Sequence, residues 1–333
     1  MAIKRKGPSS FWRHRPVLVT GGAGFIGYAL ATKLAAIGAR VFVLDIKSSL
    51  PPFAVAKKDM RKKITYIRGS VTSKKTVTRI LRLKRIQTIF HLAAESIVHR
   101  AHKDPQVALE TNIKGTWVLL ESAREVGVSE ILVASSDKAY GSHDKLPYQE
   151  HAALQGLHPY DCSKSCADLI AQMYAHAFEV PVGVVRSGNV YGPGDTNWSR
   201  LISDAFRSIA RGATLNIRSD GTYKRDYVYV DDAVDAYMTL ATRLVKDQLH
   251  GEAFNFGNNR PLRVTDVLKE IIRVAPKLKY KILNTAHSEI KHQYLDSTKA
   301  RRLLSWRAHT TIREGLQKTG AWYAEYLSHS RKA

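Results

Sequence analysis

Two short segments of this chain carry side chains that could move protons. The first is Ser136-Asp137-Lys138, which ends an apolar run, and the second is Tyr160-x-x-x-Lys164, which opens a long helical pattern. Residues four apart share one face of a helix, and an ammonium within about 4–6 Å of a phenol lowers the pKa of the phenol. A tyrosine in that setting can accept a proton near neutral pH. A turn at a strand end followed by an ordinary helix could have the same residues. The surrounding strands and helices are therefore needed to distinguish a catalytic site from a purely structural one.

A glycine-rich turn near the start of the chain predicts a dinucleotide site. A strand over Arg15–Thr20 runs into Gly21-Gly22-Ala23-Gly24-Phe25-Ile26-Gly27, and a helix follows to about Ile37. Glycines at this spacing allow a tight turn and a close approach of the backbone to a pyrophosphate, which the helix N-terminus then faces. The strand before the turn and the helix after it make this pattern more specific than glycines alone.

An acid, Asp45, ends the second predicted strand, Arg40–Leu44. An acid at this position accepts hydrogen bonds from the adenosine ribose hydroxyls and repels a 2′-phosphate. The sequence therefore favours NAD over NADP, although Lys47 nearby points the other way.

Strands and helices alternate along the first half of the chain. Further strands are predicted at Ile64–Arg68, Thr88–Leu92, Glu130–Ser135 and Val182–Val185, and the longer helices at Gln106–Val126 and Tyr160–Phe178. This alternation predicts an α/β fold with a doubly wound parallel Rossmann sheet, in which ligands bind beyond the carboxyl ends of the strands. Gly24, Asp45, Ala93 and Ser136 all fall at strand ends, so they are expected to meet in one crevice.

The pattern changes after Asn189, which predicts a smaller, interleaved C-terminal lobe for a second ligand. We predict an NAD-binding Rossmann domain over residues 15–187 and 227–257, and the second lobe over residues 188–226 and 258–328. Residues 1–14 are basic and are predicted to form a loosely ordered arm.

The composition limits the possible partners. No apolar run is long enough to span a membrane, and the basic start has no apolar segment behind it, so a cytoplasmic protein is expected. The net charge of +23 fits nucleic-acid binding, attraction of anionic small molecules or a generally basic surface. The chain shows no common nucleic-acid-binding motif, so no nucleic-acid partner is expected. Cys162 and Cys166 give neither a disulfide framework nor the spacing of a metal site, so no metal is expected.

Together these motifs resemble the extended short-chain dehydrogenase/reductase family, specifically its NAD-dependent nucleotide-sugar epimerases and dehydratases. The resemblance covers nearly the whole chain and rests on Thr20–Gly27, His91–Ser96, Thr111–Thr116, Tyr160-x-x-x-Lys164, Arg186–Gly194, Arg225–Asp232 and Lys299–Trp306.

The resemblance implies NAD as cofactor, a nucleotide-diphosphate sugar as substrate and a homodimer formed through a four-helix interface. The cofactor contacts that it implies are Gly21, Gly24, Phe25, Ile26, Gly27, Asp45, Ser70, Ala93, Tyr160 and Lys164. The substrate contacts that it implies are Glu95, Asn189, Arg200, Arg225 and Tyr294. Ser70 stands where relatives often have an acid, and it is a weaker acceptor.

The dipeptide Asp137-Lys138 bears on which reaction follows. It looks like the CDP-glucose 4,6-dehydratases, whereas epimerases usually carry small neutral residues after the catalytic Ser or Thr. The segment His91–Ser96, taken with Glu110-Thr111-Asn112, looks more like dTDP-glucose 4,6-dehydratases, so the nucleotide stays open with CDP favoured. A dehydratase of this kind converts a nucleotide hexose to its 4-keto-6-deoxy form by oxidation at C4, loss of water across C5–C6 and return of hydride to C6.

The resemblance also implies the role of each residue in that reaction. Tyr160 takes the C4 hydroxyl proton, Ser136 hydrogen-bonds the C4 oxygen, and Lys164 lowers the pKa of the phenol and holds the nicotinamide ribose. Lys138 removes the C5 proton, and Asp137 protonates the departing C6 hydroxyl.

Two other kinds of function stay open from the sequence. A 4-epimerase or decarboxylase on the same scaffold would need no Asp137-Lys138 pair. A non-catalytic NAD-binding regulator or nucleic-acid partner would need no Ser-Tyr-Lys set, yet it would suit the high charge. His91 and His292 are predicted to be packed or surface residues rather than catalytic ones.

Overall fold

The computed structural model describes residues 8–51, 63–286 and 289–329, which form two compact units. The first comprises the described residues up to Tyr140 together with Leu154–Arg186 and Val234–Phe254. The second comprises Gly141–Ala153, Ser187–Ala233 and the described residues from Asn255 onward. The division differs from the predicted one mainly at residues 141–153 and 227–233, which belong to the second unit.

A seven-stranded sheet forms the centre of the first unit, in the order β11-β6-β5-β4-β1-β2-β3. Its strands are β1 Pro16–Thr20, β2 Arg40–Asp45, β3 Ile64–Arg68, β4 Thr88–His91, β5 Glu130–Ala134, β6 Val182–Ser187 and β11 Ala253–Phe256. The five pairings from β3 through to β6 are all parallel. Every residue of β1, β4 and β6 is buried, as expected of parallel strands with both faces covered. The predicted α/β fold is confirmed.

Helices connect these strands. They are α1 Pro8–Trp12, α2 Phe25–Ala36, α3 Lys74–Lys84, α4 Val98–Lys103, α5 Pro105–Ala108, α6 Gly115–Val126 and α7 Pro159–Phe178, with a π-helical turn at Leu109–Lys114 and a 3₁₀ turn at Asp137–Tyr140.

The predicted helix Gln106–Val126 is confirmed in its extent, because helical residues run without a break from Pro105 to Val126, but Leu109–Lys114 within it are π-helical. Gly115 lies where this π-helical segment passes directly into α6. A Cβ at this position would come within 2.7 Å of the Val71 side chain, so close packing explains the glycine.

The predicted arm at residues 1–14 is also wrong in part. Residues 1–7 lie outside the described residues, but α1 forms a short helix whose Trp12 is 1% exposed. The Trp12 ring packs near Phe90 of β4, at 5.9 Å between ring centroids. Burial of this large ring removes apolar surface from water, which stabilises the packing of α1 against the sheet.

Small sheets of two or three short strands, together with helices, build the second unit. Its strands are β7 Asn189–Tyr191, β8 Thr214–Ile217, β9 Lys224–Arg225, β10 Tyr227–Tyr229, β12 Leu262–Arg263, β13 Lys279–Ile282 and β14 His292–Gln293. Its helices are α8 Leu201–Arg211, α9 Val230–Leu244, which continues into the first unit, α10 Val264–Val274, α11 Thr298–Leu304 and α12 Ile312–His329. Asn189 opens β7, which pairs in parallel with β10. None of the helices among the described residues has the length and apolarity needed to cross a membrane.

Candidate active site

The glycine-rich turn between β1 and α2 is folded as tightly as its sequence predicts. Gly21 has a φ of +68°, and a Cβ there would come within 2.7 Å of the Ala93 backbone nitrogen. A Cβ on Gly27 would overlap the Gly21 carbonyl oxygen. Gly24 caps α2 without a side chain, so the first N–H groups of the helix have no side-chain acceptor. This small-residue cradle at a helix N-terminus fits a dinucleotide pyrophosphate.

Asp45 is fixed beside that turn. It is 8% exposed, and its two carboxylate oxygens accept hydrogen bonds from Ala23 N at 3.0 Å and Lys47 N at 3.1 Å. Lys47 in turn donates from Nζ to the Ala23 carbonyl oxygen at 3.0 Å. Ser70, another predicted cofactor contact, shares a hydrogen bond with the hydroxyl of Thr72 at 2.8 Å. Asp45 is therefore positioned to accept a hydrogen bond from a hydroxyl of the adenosine ribose.

Tyr160 and Lys164 lie on the first turns of α7. Tyr160 is 9% exposed and packs with Ala101 and Ala108. Lys164 is buried, and its ammonium donates to the Ala134 carbonyl oxygen at the end of β5 over 2.8 Å. Burial lowers the pKa of Lys164 to about 8, and the negative charge of Asp168 opposes that shift. With a pKa of about 8, Lys164 is still mostly charged at pH 7.

The 3₁₀ turn after β5 holds the other three candidate catalytic residues. Ser136 donates from Oγ to Asp137 Oδ1 at 3.0 Å and accepts from Lys138 N at 3.2 Å. Lys138 Nζ lies 3.4 Å from the same Asp137 oxygen. The Asp137 side chain is 1% exposed and the Lys138 side chain 23%. An acid, a base and a hydroxyl thus form one connected group at a strand end.

A further carboxyl, which the sequence did not single out, lies near this group. Asp161 follows Tyr160 on α7 and is 5% exposed. Burial raises the pKa of Asp161, and the nearby Asp137 charge raises it further, while Lys138 and His158 lower it. Asp161 therefore shares the electrostatic field of the Asp137-Lys138 pair.

Direct hydrogen bonds tie the 3₁₀ turn to α7. Ser165 donates from Oγ to the Ala139 carbonyl oxygen at 2.7 Å. One helical turn beyond Lys164, Asp168 binds the Arg186 guanidinium through two hydrogen bonds of 2.8 and 2.9 Å. Arg186 also donates to the Tyr140 hydroxyl at 2.8 Å. These buried contacts hold Ser136–Tyr140 against the helix of Tyr160 and Lys164, and sequence reasoning missed them.

Asn112 is a second organising residue that the sequence did not single out. It is 2% exposed and lies in the π turn. Its amide donates to Ser163 Oγ at 2.8 Å and to the Glu95 carbonyl at 3.2 Å, and its oxygen accepts from Glu95 N at 2.8 Å. The Glu95 side chain accepts from Ile97 N at 2.9 Å. A single buried amide thus joins the π turn, the segment after β4 and α7.

His91 has no free ring nitrogen. Its Nδ1 lies 2.8 Å from the Thr20 hydroxyl and its Nε2 lies 3.1 Å from the Thr116 hydroxyl. Burial lowers the pKa of His91 to about 3, and the Lys164 charge adds to the effect. A neutral imidazole with both nitrogens occupied packs the sheet and is no proton carrier near neutral pH, while His292 is exposed in β14.

The other predicted substrate residues lie in the second unit. Asn189 opens β7, and the backbone of Tyr294 accepts a hydrogen bond from Tyr148 N at 2.9 Å. Arg200 pairs with Asp195 at 3.1 Å. Arg225 donates to the carbonyl oxygens of Lys224, Ile290 and Lys291 over 2.6–2.9 Å. The cofactor and catalytic candidates and Glu95 therefore belong to the first unit, and these four residues belong to the second.

Known proteins match this chain over most of its length. The model of the NAD dependent epimerase/dehydratase family matches residues 17–257. A curated Arabidopsis thaliana protein, described as a trifunctional UDP-glucose 4,6-dehydratase, UDP-4-keto-6-deoxy-D-glucose 3,5-epimerase and UDP-4-keto-L-rhamnose reductase, is 30% identical over 321 residues. That alignment covers 93% of this chain and 47% of the relative, so the chain spans about half the length of that protein.

Solved structures of two different enzymes match equally well. A UDP-glucose 4-epimerase from Thermotoga maritima, solved with UDP-glucose, is 30% identical, with a TM-score of 0.84 and coverage of 94% of this chain and 99% of the other. A dTDP-glucose 4,6-dehydratase from Streptomyces venezuelae, solved with NAD bound, is 28% identical, with a TM-score of 0.83 and coverage of 94% and 98%. Overall similarity therefore does not separate an epimerase from a dehydratase.

Proposed function

Since this chain belongs to the NAD dependent epimerase/dehydratase family, we propose that it is a nucleotide-sugar 4,6-dehydratase that forms a 4-keto-6-deoxyhexose. The observation that carries the proposal is the ion pair of Asp137 and Lys138 beside the Ser136 hydroxyl. Loss of water from a sugar needs a base for the C5 proton and an acid for the C6 hydroxyl. Interconversion of C4 epimers needs neither.

NAD is the cofactor of this family, and the first unit fits it. The glycine turn, the N-terminus of α2 and Ala93 would hold the pyrophosphate, Asp45 the adenosine ribose and Lys164 the nicotinamide ribose. When bound, NAD supplies the acceptor for the C4 hydride and its later return to C6. The remaining chemistry falls to the side chains of this chain.

Tyr160 takes the proton from the C4 hydroxyl. The Lys164 ammonium four residues on stabilises the phenolate electrostatically, while its hydrogen bond to the Ala134 carbonyl fixes its position. Ser136 turns its hydroxyl toward the C4 oxygen and stabilises the negative charge that develops there. In comparable sites one such hydrogen bond lowers the activation free energy by about 3 kcal/mol.

Asp137 and Lys138 then act as a coupled pair. Their ion pair stores one proton on Lys138 Nζ, 3.4 Å from Asp137 Oδ1. Moving that proton across the pair produces a neutral amine and a carboxylic acid together, without any change in net charge. The amine removes the C5 proton and the acid protonates the departing C6 hydroxyl, which restores the ion pair. When hydride returns to C6, the Lys138 ammonium gives a proton back to C5, and the proton that Tyr160 took from the C4 hydroxyl balances this transfer.

We propose CDP-glucose as the substrate, because the Asp-Lys dipeptide resembles the CDP-glucose type. Arg200 and Arg225 are the candidates for the diphosphate, since a guanidinium can bind two phosphate oxygens at once. Asn189 and Tyr294 are the further candidates in the second unit, and Glu95 in the first.

A 4-epimerase is the second candidate function. The observation that favours it is the equal similarity to the Thermotoga maritima epimerase. The same Ser136, Tyr160 and Lys164 would serve that reaction, with Asp137 and Lys138 as a structural ion pair.

Mass spectrometry separates these two functions. Purified protein is incubated with NAD and, in separate arms, with CDP-, dTDP- and UDP-glucose. The proposal predicts a product lighter by one water in the CDP-glucose arm. A product of unchanged mass that NMR identifies as the C4 epimer would overturn the dehydratase proposal, and water loss only with dTDP- or UDP-glucose would overturn the choice of nucleotide.

We also propose a homodimer formed through α6 and α7. Trp117 on α6 and Leu169 and Met173 on α7 are 41%, 54% and 43% exposed. Large apolar side chains concentrated on neighbouring helices are typical of a surface that another protein covers. Light scattering after size-exclusion chromatography should give twice the chain mass, and Leu169→Glu should give the monomer. A monomeric wild-type protein would overturn the proposal.

A further inference from the structure

Two cations lie close to the acid that is expected to contact the adenosine ribose. Lys47 follows Asp45 by two residues, and Arg68 ends the neighbouring strand β3. Asp45 and Arg68 are register partners across β2 and β3, so their side chains leave the sheet on the same face. The acid at this strand end is therefore flanked by an ammonium and a guanidinium.

The Lys47 side chain points back to the glycine turn. Its Nζ donates to the Ala23 carbonyl oxygen at 3.0 Å, while Ala23 N donates to Asp45 Oδ2. An ammonium has three donors, so this contact leaves two of them for a ligand. The ammonium is held where the ribose of a dinucleotide would lie.

Arg68 is exposed and forms no salt bridge with any residue in the described part of the chain. Tyr66, two residues earlier, donates from its hydroxyl to the Lys47 carbonyl oxygen at 2.5 Å. Burial raises the pKa of Tyr66, the Asp45 charge raises it further and the Arg68 charge lowers it. Asp45 and Arg68 therefore both act electrostatically on this phenol, which itself bonds to the Lys47 backbone.

The two dinucleotides differ at this point by one group. NAD offers the 2′-hydroxyl, which Asp45 can accept, whereas NADP offers a phosphate, which the same carboxylate repels. A guanidinium and an ammonium are the side chains that bind phosphate most strongly.

We propose that Lys47 and Arg68 form a binding site for the 2′-phosphate of NADP. In the wild-type protein the Asp45 carboxylate repels that phosphate, so the site is not used. Asp45 then determines the cofactor preference, because the cations that a phosphate requires are already in place. The proposal concerns the adenosine end of the cofactor and is independent of which sugar reaction the protein performs.

Binding of NADH and NADPH to the purified protein, measured by isothermal titration calorimetry, tests this site without any turnover. The wild type should bind NADH at least tenfold more tightly than NADPH. Asp45→Asn removes the charge and keeps the size of the side chain, and it should shift the ratio of the two dissociation constants at least tenfold toward NADPH.

Two double variants decide whether the cations are responsible. In Asp45→Asn/Lys47→Met and in Asp45→Asn/Arg68→Met, the gain in NADPH affinity should fall several-fold, while NADH affinity follows that of Asp45→Asn. Lys75→Met on α3, which removes an exposed cation elsewhere, is the matched control in the same background and should leave the ratio unchanged.

Two results would overturn the proposal. One is an unchanged ratio in Asp45→Asn while NADH still binds, since that variant is then folded and repulsion by Asp45 is not what excludes the phosphate. The other is a shifted ratio that neither the Lys47 nor the Arg68 change reduces, because loss of repulsion alone would then explain it. If Asp45→Asn fails to bind either dinucleotide, Asp45→Ser replaces it, since a serine hydroxyl can still accept from Ala23 N.

Discussion

Replacing Lys164 with methionine should change how stability depends on pH. Burial lowers the pKa of Lys164 from the ordinary lysine value of 10.5 to about 8, with Asp168 opposing the shift. Below pH 8 the side chain is charged in both the folded and the unfolded chain, and the fold bears the full cost of burying that charge. Between pH 8 and pH 10.5 the unfolded chain binds more protons than the folded one, so stability rises with pH. That interval, at about 1.36 kcal/mol per pH unit, corresponds to about 3 kcal/mol.

The measurement is the free energy of unfolding in urea for the wild type and for Lys164→Met at pH 7 and pH 11. Other groups titrate in both proteins, so only the difference between them is informative. We expect the wild type to gain about 3 kcal/mol relative to the variant between the two pH values. Lys75→Met, at an exposed site, is the control and should show a difference independent of pH. A pH-independent difference for Lys164→Met as well would refute the conclusion that a desolvated ammonium supports Tyr160.

Three further outcomes follow from other contacts of the first unit. Asp168→Asn leaves the Arg186 guanidinium buried without its carboxylate, so it should lower the free energy of unfolding by about 3–5 kcal/mol; urea titration would show it, and a loss below about 1 kcal/mol would mean that the pair is dispensable. Gly27→Ala places a Cβ against the Gly21 carbonyl oxygen and should weaken NADH binding at least tenfold by calorimetry, whereas unaltered affinity would mean that the turn is not the cofactor cradle. Because the pKa of His91 is about 3 in the fold and 6.5 in the unfolded chain, stability should fall as the pH drops from 6.5 toward 3, and His91→Gln should lose less over that range; an equal loss in both proteins would contradict a buried neutral imidazole.

The sequence predicts the sheet well because the local signals agree. β3 lies at Ile64–Arg68 as predicted, and the other strands of the β1–β6 series differ from their predicted bounds by one or two residues. Apart from β3, which is Ile-Thr-Tyr-Ile-Arg at the sheet edge, each strand contains an apolar run bounded by glycine, proline or polar residues, which is the pattern of a strand buried on both faces. The strand ends then place Gly24, Asp45, Ala93 and Ser136 in the first unit.

What the sequence does not predict depends on contacts between distant residues. The sequence of Leu109–Lys114 has the pattern of an ordinary helix, yet the segment is a π turn. Within it the buried Asn112 forms hydrogen bonds with Glu95 and Ser163. Asp168 and Arg186 are 18 residues apart, and each looks like an ordinary surface charge until the fold buries both.

The charge state of a residue is equally hidden from sequence. Lys164 has a pKa of about 8 because the end of β5 and α7 enclose it, and the residues next to it in the sequence do not indicate that burial. Asp161 acquires its raised pKa in the same way, from burial and from the Asp137 charge beside it. Motifs identify the reactive groups, whereas tertiary packing sets their acidity.

The central claim is that Asp137 and Lys138 direct the reaction to loss of water. The most direct measurement follows nucleotide-linked glucose carrying deuterium at C4, with wild type and Asp137→Asn compared by mass spectrometry and NMR. We predict that the wild-type product has lost one water and carries the deuterium at C6. Asp137→Asn should still oxidise C4, and it should slow the water loss far more than the oxidation. A product with unchanged composition, deuterium still at C4 and an inverted C4 configuration would contradict it, as would an equal loss of both steps in Asp137→Asn.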